Sequence, residues 1–151
     1  MGLMQISRRV DYALRAVIYL SDQPPEKCSS IAEIAKRQGV PKKFLEKIIQ
    51  DLVRRDLIKS KRGSAGGYML ARSAETISFC DVIEAIEGPL AVNVCLDHEA
   101  GCDQIPRCTM IGVWTELQRS ITEVLRRTTI AALRQPVCRE FAGSSSLSSA
   151  A

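Results

Sequence analysis

The sequence predicts a mainly α-helical fold with one small β-hairpin and a long helix near its carboxyl end. Three observations support this prediction. Apolar residues recur at three- and four-residue spacing in several segments, a glycine-rich stretch separates two short strand-like runs, and an irregular cysteine-bearing segment precedes the last periodic one. The chain has 151 residues, 46% of them hydrophobic and 25% charged, which is typical of a folded domain. We therefore expect one compact core with a small appendage.

The first three helices are predicted from apolar periodicity and from residues that favour helix ends. The first helix spans about residues 7–21. Ser30 and Glu33 match a capping box that opens the second helix, and Gly39 suits its left-handed end. Pro41 fits the start of the third helix, whose inward stripe consists of Leu45, Ile48, Ile49, Leu52 and Val53. Two helices joined by so tight a turn form a helix-turn-helix pattern.

The outward face of the third helix carries the candidate DNA contacts. That face consists of Lys42, Lys43, Glu46, Lys47, Gln50 and Arg54. In a helix-turn-helix, the amino-terminal residues of the second helix reach base edges in the major groove. A carboxylate beside a polyanion lowers the affinity for DNA. Glu46 is therefore expected to contribute specificity instead, by accepting a hydrogen bond from cytosine N4 and rejecting other bases. The alternative is that Glu46 only pairs with Lys42 or Lys43 on the helix surface.

A basic hairpin is predicted directly after the third helix. Two short strands, 57–62 and 68–72, flank the glycine-rich stretch 63–67 and form a wing. Gly66 and Gly67 allow the tip to approach a sugar-phosphate surface, and Arg62 at its base can reach the minor groove. A nucleotide-binding loop is disfavoured because the GxGxxG order is absent. Together with the three helices, this hairpin predicts a winged helix-turn-helix DNA-binding domain.

The charge distribution favours nucleic acid as the partner of the first half. Up to residue 73 there are 15 Lys/Arg and 7 Asp/Glu, a net charge of +8, whereas the remainder has 6 and 10, a net charge of −4. Lysine and arginine that neutralise phosphates release condensed counterions, which raises affinity for DNA. Solvated helix faces are the alternative explanation for the basic half. We expect double-stranded operator DNA to be bound.

Several other function classes are disfavoured. The longest apolar run, Ala16 to Leu20, is too short to cross a bilayer, and no export signal opens the chain, so we expect a cytoplasmic protein without membrane contact. One histidine and the absence of a nucleophile elbow, a Walker loop or a metal-hydrolase motif argue against an enzyme.

The carboxyl-terminal half predicts self-association. A fourth helix begins at Ser78 and stops at Gly88. From Ile111 a long helix carries an apolar stripe larger than so small a domain can bury alone: Trp114, Leu117, Ile121, Val124, Leu125 and Thr128. We interpret it as a dimerisation helix, because paired DNA-reading helices address half-sites one turn apart. Packing of the stripe against its own domain is the alternative.

Four segments follow from these observations. Residues 1–90 form the DNA-binding domain, whose first helix also packs in the dimer, and 91–110 form a cysteine-rich loop. Residues 111–135 form the dimerisation helix, and 136–151 form a tail whose Ser-rich end we expect to be disordered.

Three of the six cysteines lie close together in the sequence. Cys95, Cys102 and Cys108 are separated by six and five residues, whereas structural zinc sites favour ligands two to four residues apart. Looser spacing of soft thiolates suits an iron-sulfur cluster, which would need a fourth ligand from elsewhere. Incidental thiols and a cluster-free thiol switch are the alternatives.

The segment from Ser30 to Leu57, the wing sequence RGSAGGYML and the cysteine loop before a long helix together resemble the IscR/NsrR-like (Rrf-type) family of bacterial winged-helix transcriptional regulators. The resemblance covers about residues 3 to 135, and the three cysteines mark the iron-sulfur-binding branch. It implies a homodimeric regulator that senses iron-sulfur status, redox state or nitric oxide through a two-iron or four-iron cluster. The same match assigns DNA contacts to Lys43, Glu46, Lys47 and Arg62.

The fourth ligand is where the chain departs from the pattern of this family. The first cysteine interval is one residue longer than in the members it most resembles, and Ile111 stands where the cluster-assembly regulator has a histidine. In the nitric-oxide-sensing branch an aspartate of the first helix serves instead, which implies Asp11 here, reaching across the dimer. A solvated helix carboxylate is the alternative for Asp11, and His98, the only histidine, is the second candidate ligand.

Overall fold

The computed structural model describes residues 6–97 and 101–134. His98 and the tail 136–151 therefore lie outside the described residues. The described part is mainly helical with one antiparallel hairpin, which confirms the predicted fold class. None of its helices is both long and apolar enough to span a bilayer. The elements in chain order are α1 (Arg8–Ser21), α2 (Ile31–Gln38), α3 (Lys42–Arg54), β1 (Ile58–Lys61), β2 (Gly67–Leu70), α4 (Phe79–Glu87) and α5 (Ile111–Arg127).

The core forms around α1, which packs against α2, α3 and α4. On α1, Val10, Ala13, Leu14 and Val17 are buried in this core. Four residues of the predicted α3 stripe are buried as well, whereas Val53 is only half-buried. On α4, Val82, Ile83 and Ile86 are buried and Phe79 is half-buried. The largest fully buried side chains are Ile34, Leu45, Ile48, Ile49, Leu52, Leu57, Ile58, Ile77, Ile83, Ile130, Val10 and Val17.

Serine side chains start three of the helices. Ser7 Oγ accepts from the N–H of Val10 at 3.4 Å, and Ser30 Oγ accepts from the N–H of Glu33 at 3.1 Å. At α4, Ser78 and Asp81 cap each other reciprocally. These hydrogen bonds satisfy backbone donors that have no partner within the first turn of a helix. Gly39 ends α2 in the left-handed conformation, with φ of 62°.

The wing is a hairpin in which Ile58 pairs with Leu70 and Lys61 pairs with Gly67. Each strand is shorter than predicted: β1 lacks residues 57 and 62, and β2 begins one residue earlier and ends two residues earlier. Gly67 has φ of +147°, and a Cβ there would lie 2.7 Å from the carbonyl oxygen of Ser29. A Cβ on Gly66 would clash with the Lys61 carbonyl oxygen. Both glycines are therefore required by contacts within the protein, besides any role at DNA.

The chain returns to the core after α5. The helix ends at Arg127, earlier than the expected end near residue 135, because Thr128 adopts an extended conformation with ψ of 104°. The N–H of Phe79 then donates to Thr128 O, and the N–H of Ile130 donates to Ile77 O, both at 2.8 Å. The Ile130 side chain is 0% exposed. These contacts fix the carboxyl end of α5 to the amino end of α4.

Candidate nucleic-acid interface and cysteine loop

The predicted DNA-reading residues lie together on one exposed face. All six outward residues of α3 are exposed, opposite its buried stripe. In the wing, Lys59, Lys61 and Arg62 are exposed as well. The helix lies against β1, and the groove between helix and wing has a volume of about 320 Å³. Helix and wing thus present neighbouring basic surfaces.

The amino end of α3 is suited to bind an anion. Pro41 precedes the helix and provides no side-chain cap, in contrast to the serines that cap α1, α2 and α4. Backbone N–H groups at the start of a helix, together with the helix dipole, attract phosphate. Lys42 and Lys43 add two exposed cations to this end of the helix.

An aspartate on α3 fixes the helix to α1. Asp51 accepts from Arg9 at 2.9 Å and lies 3.1 Å from Arg54, and its side chain is only 14% exposed. Arg54, predicted as part of the outward cationic face, is thus paired within the protein. Sequence patterns did not identify Asp51, because its partner Arg9 is 42 residues away.

The side chain of Glu46 is exposed and only loosely paired. Its Oε1 lies 4.0 Å from Lys42 Nζ, at the limit of an ion pair, and both side chains are more than half exposed. An exposed pair of this kind contributes little to stability. The pairing that was considered as the alternative is therefore present, but it is loose enough for another partner to replace it.

A residue that sequence reasoning missed is Phe44, whose side chain is 57% exposed on the first turn of α3. The apolar stripe of this helix begins at Leu45, so Phe44 lies at its flank. A helical projection of the sequence would have revealed a large apolar side chain outside the stripe.

A hydrogen bond between side chains ties α2 to α1. Tyr19 Oη donates to Glu33 Oε1 at 3.0 Å, and Lys27 Nζ lies 3.5 Å from the same oxygen. The hydrogen bond from Tyr19 and, to a smaller extent, the charge of Lys27 lower the pKa of Glu33 below its ordinary value of 4.5. The carboxylate expected only to cap a helix thus also joins two helices of the DNA-binding half.

Among the described residues of the cysteine loop, the backbone hydrogen bonds form no long-range ladder. Cys95 lies in the short 3₁₀ turn Val94–Leu96, and Cys108 follows a second such turn, Ile105–Arg107. Cys95, Cys102 and Cys108 are free thiols and half-buried. Every backbone hydrogen bond found between residues 93 and 108 joins residues at most four positions apart. The described backbone of the loop is therefore held by short-range hydrogen bonds, and its first 3₁₀ turn also contacts α5.

One side chain holds the start of the loop against α5. Gln118 Nε2 donates to Leu90 O at 2.7 Å, and Gln118 Oε1 accepts from the N–H of Val92 at 2.8 Å. A further hydrogen bond, from Gln118 Nε2 to Thr122 Oγ1 at 3.2 Å, orients the amide. The side chain pairs with the backbone as a neighbouring strand would. Both ends of the loop are consequently attached to α5, which begins three residues after Cys108.

The three cysteines fit an iron-sulfur cluster in chemistry but are not gathered around one centre. Within residues 6–97 and 101–134, no three histidine, cysteine or acidic side chains converge tightly enough to hold a metal ion. Soft thiols on a loop of irregular backbone are nevertheless the ligand type that such clusters take. Binding a cluster would require the loop to rearrange. The free-energy cost of this rearrangement is expected to be low, because the described backbone hydrogen bonds of the loop are short-range.

The candidates for further ligands differ in their surroundings. Asp11 is half exposed on α1 and pairs with Arg15 at 3.1 Å. His98 lies outside the described residues. Burial raises the pKa of the Cys80 thiol, with a smaller contribution from Glu84, and Cys80 is 1% exposed. Cys80 is therefore an inert core residue.

The fold and the basic face define a winged helix-turn-helix DNA-binding protein. Residues 6–136 match the Rrf2 family, described as "Iron-dependent Transcriptional regulator", and the chain belongs to this family of transcriptional regulators. It is 32% identical over 128 residues to the HTH-type transcriptional regulator NsrR of Halalkalibacterium halodurans, covering 84% of this chain and 88% of that protein.

Two solved structures extend the comparison. The chain resembles CymR, the global cysteine regulator of B. subtilis, with TM-score 0.72 and 28% identity over 87% of this chain and 96% of that one. It resembles T. potens IscR with TM-score 0.68 and 31% identity over 86% and 85%.

Proposed function

We propose that the protein is a homodimeric regulator whose binding to operator DNA responds to iron-sulfur status, redox state or nitric oxide. The signal would enter through an iron-sulfur cluster held by Cys95, Cys102 and Cys108, with Asp11 of the partner protomer as the fourth ligand. The proposal extends the family membership of the chain by the chemistry of its own cysteine loop.

The observation that carries this proposal is the attachment of both loop ends to α5. Gln118 holds the backbone at residues 90 and 92 against α5, and the other end of the loop runs directly into the first turn of that helix. Any rearrangement that draws the three thiols together therefore acts on the same helix from two sides. The carboxyl end of α5 is bonded in turn to the start of α4, within the DNA-binding half.

Exposed apolar surface on α5 supports the dimer. None of its 17 residues is fully buried, and Val113 and Val124 are 67% and 46% exposed. Trp114 and Leu117 are half-buried. A second copy of the chain would cover this stripe, because an isologous interface joins identical patches.

The basic face of α3 and the wing would contact the operator. Glu46 would accept from cytosine N4 in the major groove, and Arg62 would enter the adjacent minor groove. Gly66 and Gly67 would keep the wing tip thin where it approaches the sugar-phosphate backbone. The full proposed contact set is Lys42, Lys43, Glu46, Lys47, Arg62, Gly66 and Gly67.

The expected coupling between loop and operator is moderate. When bound, an iron-sulfur cluster supplies redox-active iron that thiols alone lack. The chain contributes the coupling, because α5 would set the separation of the two α3 helices in a dimer. Allosteric coupling is typically about 1 to 3 kcal/mol, or about one to two decades in operator affinity.

The test is to purify the full chain without oxygen and to measure iron, acid-labile sulfide and affinity for a duplex selected from a random library, at fixed salt. Wild type and Cys28→Ala should hold iron and sulfide, whereas Cys102→Ala should lose them and shift operator affinity about tenfold or more. Cys28 is the control because it lies in the DNA-binding half, beside Met69. Equal operator affinity of loaded wild type and Cys102→Ala would refute sensing.

A paired comparison addresses the fourth ligand. Asp11→Ala removes both the carboxylate and its ion pair with Arg15. Arg15→Ala breaks the same ion pair but leaves the Asp11 carboxylate in place. Faster cluster loss in Asp11→Ala alone would support ligation by Asp11. Equal cluster retention in the two variants would exclude it and leave His98 as the next candidate.

A cluster-free regulator is the alternative. The three thiols are free, which is compatible with a switch in which they oxidise or with a regulator that docks a partner protein. A colourless preparation that resists reconstitution and forms reversible disulfides would favour this alternative over the cluster.

A further inference from the structure

Among the described residues of the DNA-binding half, Phe44 is the most exposed large apolar side chain, with 57% of its surface accessible. Exposing so large a ring to water costs free energy that burial would recover. The core is already filled by the neighbouring stripe of α3, from Leu45 to Leu52. The side chain is thus available for an external contact and is not required by the fold.

The surroundings of Phe44 indicate the chemistry of that contact. It is the third residue of α3, it follows the exposed Lys43, and Lys47 lies one turn further along. The uncapped amino end of the same helix favours negative charge. An apolar protein surface would have to desolvate both lysines, whereas DNA neutralises them. Charge complementarity therefore favours DNA over a second copy of the chain or another protein.

We propose that Phe44 contacts the 5-methyl group of a thymine in the major groove and so determines part of the operator sequence. The inference rests on DNA binding through α3 in the proposed function, but not on the cluster. Thymine presents the one methyl group among the base edges of the major groove, and phenylalanine is a known partner for it. Lysines and Glu46 read hydrogen-bonding edges, so Phe44 adds a different kind of discrimination.

The expected size of the effect follows from the area of one methyl group. Burial of one such group changes affinity about fourfold, so two half-sites of a dimer together give about 15-fold. Loss of the whole ring should cost more, because the ring also covers adjacent base surface. The contact is thus measurable without being the main source of affinity.

The test uses a duplex selected from a random library by the full-length wild-type protein. Each thymine of this duplex is replaced in turn by deoxyuridine, which lacks the methyl group but keeps every hydrogen-bonding atom. Affinities are measured for wild type, Phe44→Ala, Phe44→Leu and Lys43→Ala at one salt concentration. Thermal unfolding checks that the exposed Phe44 can be replaced without loss of the fold.

The proposal predicts one thymine per half-site whose replacement weakens wild-type binding about fourfold. Phe44→Ala should lose this sensitivity, and Phe44→Leu should keep part of it. Lys43→Ala should bind more weakly to every duplex while remaining sensitive to the same methyl group. Overturning results are equal affinity for all deoxyuridine duplexes, or an undiminished methyl effect in Phe44→Ala. If wild type selects no sequence at all, the proposed DNA-reading function fails with it.

Discussion

The two halves of the molecule are built differently. The DNA-binding half, up to α4, has serine-capped helices around a core of fully buried aliphatic residues. The second half consists of an irregular loop with three free thiols and α5, on which no residue is fully buried. The first half thus contributes most of the buried core, to which the second half adds Ile130, whereas the second half also exposes apolar surface and free thiols.

The difference indicates where a signal can act. Segments with few buried contacts and local hydrogen bonds rearrange at low free-energy cost, and regulatory motions generally occur in them. In this protein such a segment is bonded at both ends to α5, and α5 is bonded to the well-packed half. In the proposed function, a rearrangement of this loop would therefore act through α5 on the DNA-binding half.

The largest expected effect is on the free energy of unfolding, and it appears when one glycine of each half is replaced by alanine. Gly67→Ala places a Cβ against the Ser29 backbone at a φ of +147°, so we expect a loss of about 3 kcal/mol in the free energy of unfolding. Gly112→Ala on α5 meets no atom within 4 Å and should stabilise the protein by about 1 kcal/mol or less, because alanine favours a helix more than glycine does. Urea unfolding at one fixed protein concentration measures both.

Operator binding provides the second readout for the same pair. Gly67→Ala should weaken binding even under conditions where it remains folded, because the bridge between Ser29 and Tyr68 positions the wing. Gly112→Ala should bind as wild type does. Equal stability of the two variants would contradict the contrast between the halves.

Local patterns predicted most of the DNA-binding half. Ser30, Gly39 and Ser78 act on backbone groups within four residues, so their effects are visible in a short stretch of sequence. The exposed basic face of α3 followed from helical periodicity in the same way. The resemblance to the Rrf-type family rests on local motifs too, namely the segment Ser30 to Leu57, the wing sequence and the cysteine loop before a long helix, and the family is confirmed.

Features that depend on distant partners were not predictable from local patterns. The contact of Asp51 with Arg9 and that of Gln118 with the backbone before the loop join residues 42 and 26 to 28 positions apart. The end of α5 is set by pairing with residues 77–79, not by a helix-stop signal. The ligand set remains a prediction, since its proposed fourth member belongs to another protomer.

A smaller effect on stability tests how the cysteine loop is attached to α5. Gln118→Leu leaves Leu90 O and the N–H of Val92 without their partners, so we expect a loss of about 1 to 3 kcal/mol. Thr122→Ala is the control, because it removes only the hydrogen bond to the Gln118 amide. If Gln118 holds the loop, hydrogen exchange at residues 90–97 should increase in Gln118→Leu alone. Matching exchange in the two variants would show that the loop is held by other contacts.

The smallest expected effect on stability concerns the hydrogen bond between Tyr19 and Glu33 in the DNA-binding half. Tyr19→Phe removes the hydrogen bond that lowers the pKa of Glu33. A carboxyl whose pKa is lowered by folding stabilises the protein above its ordinary pKa of 4.5, and this contribution disappears as the pH falls through the lowered value.

At pH 7 the Tyr19→Phe variant should be less stable than wild type by about 1 kcal/mol or less, since the carboxylate is partly exposed. The difference from wild type should shrink as the pH falls through the lowered pKa of Glu33, because the carboxyl is then protonated in the folded and the unfolded protein alike. Tyr12→Phe, on the same helix but without this bond, should show no such pH dependence in urea unfolding. A Tyr19→Phe deficit that does not change with pH would mean that the lost hydroxyl acts independently of the charge of Glu33.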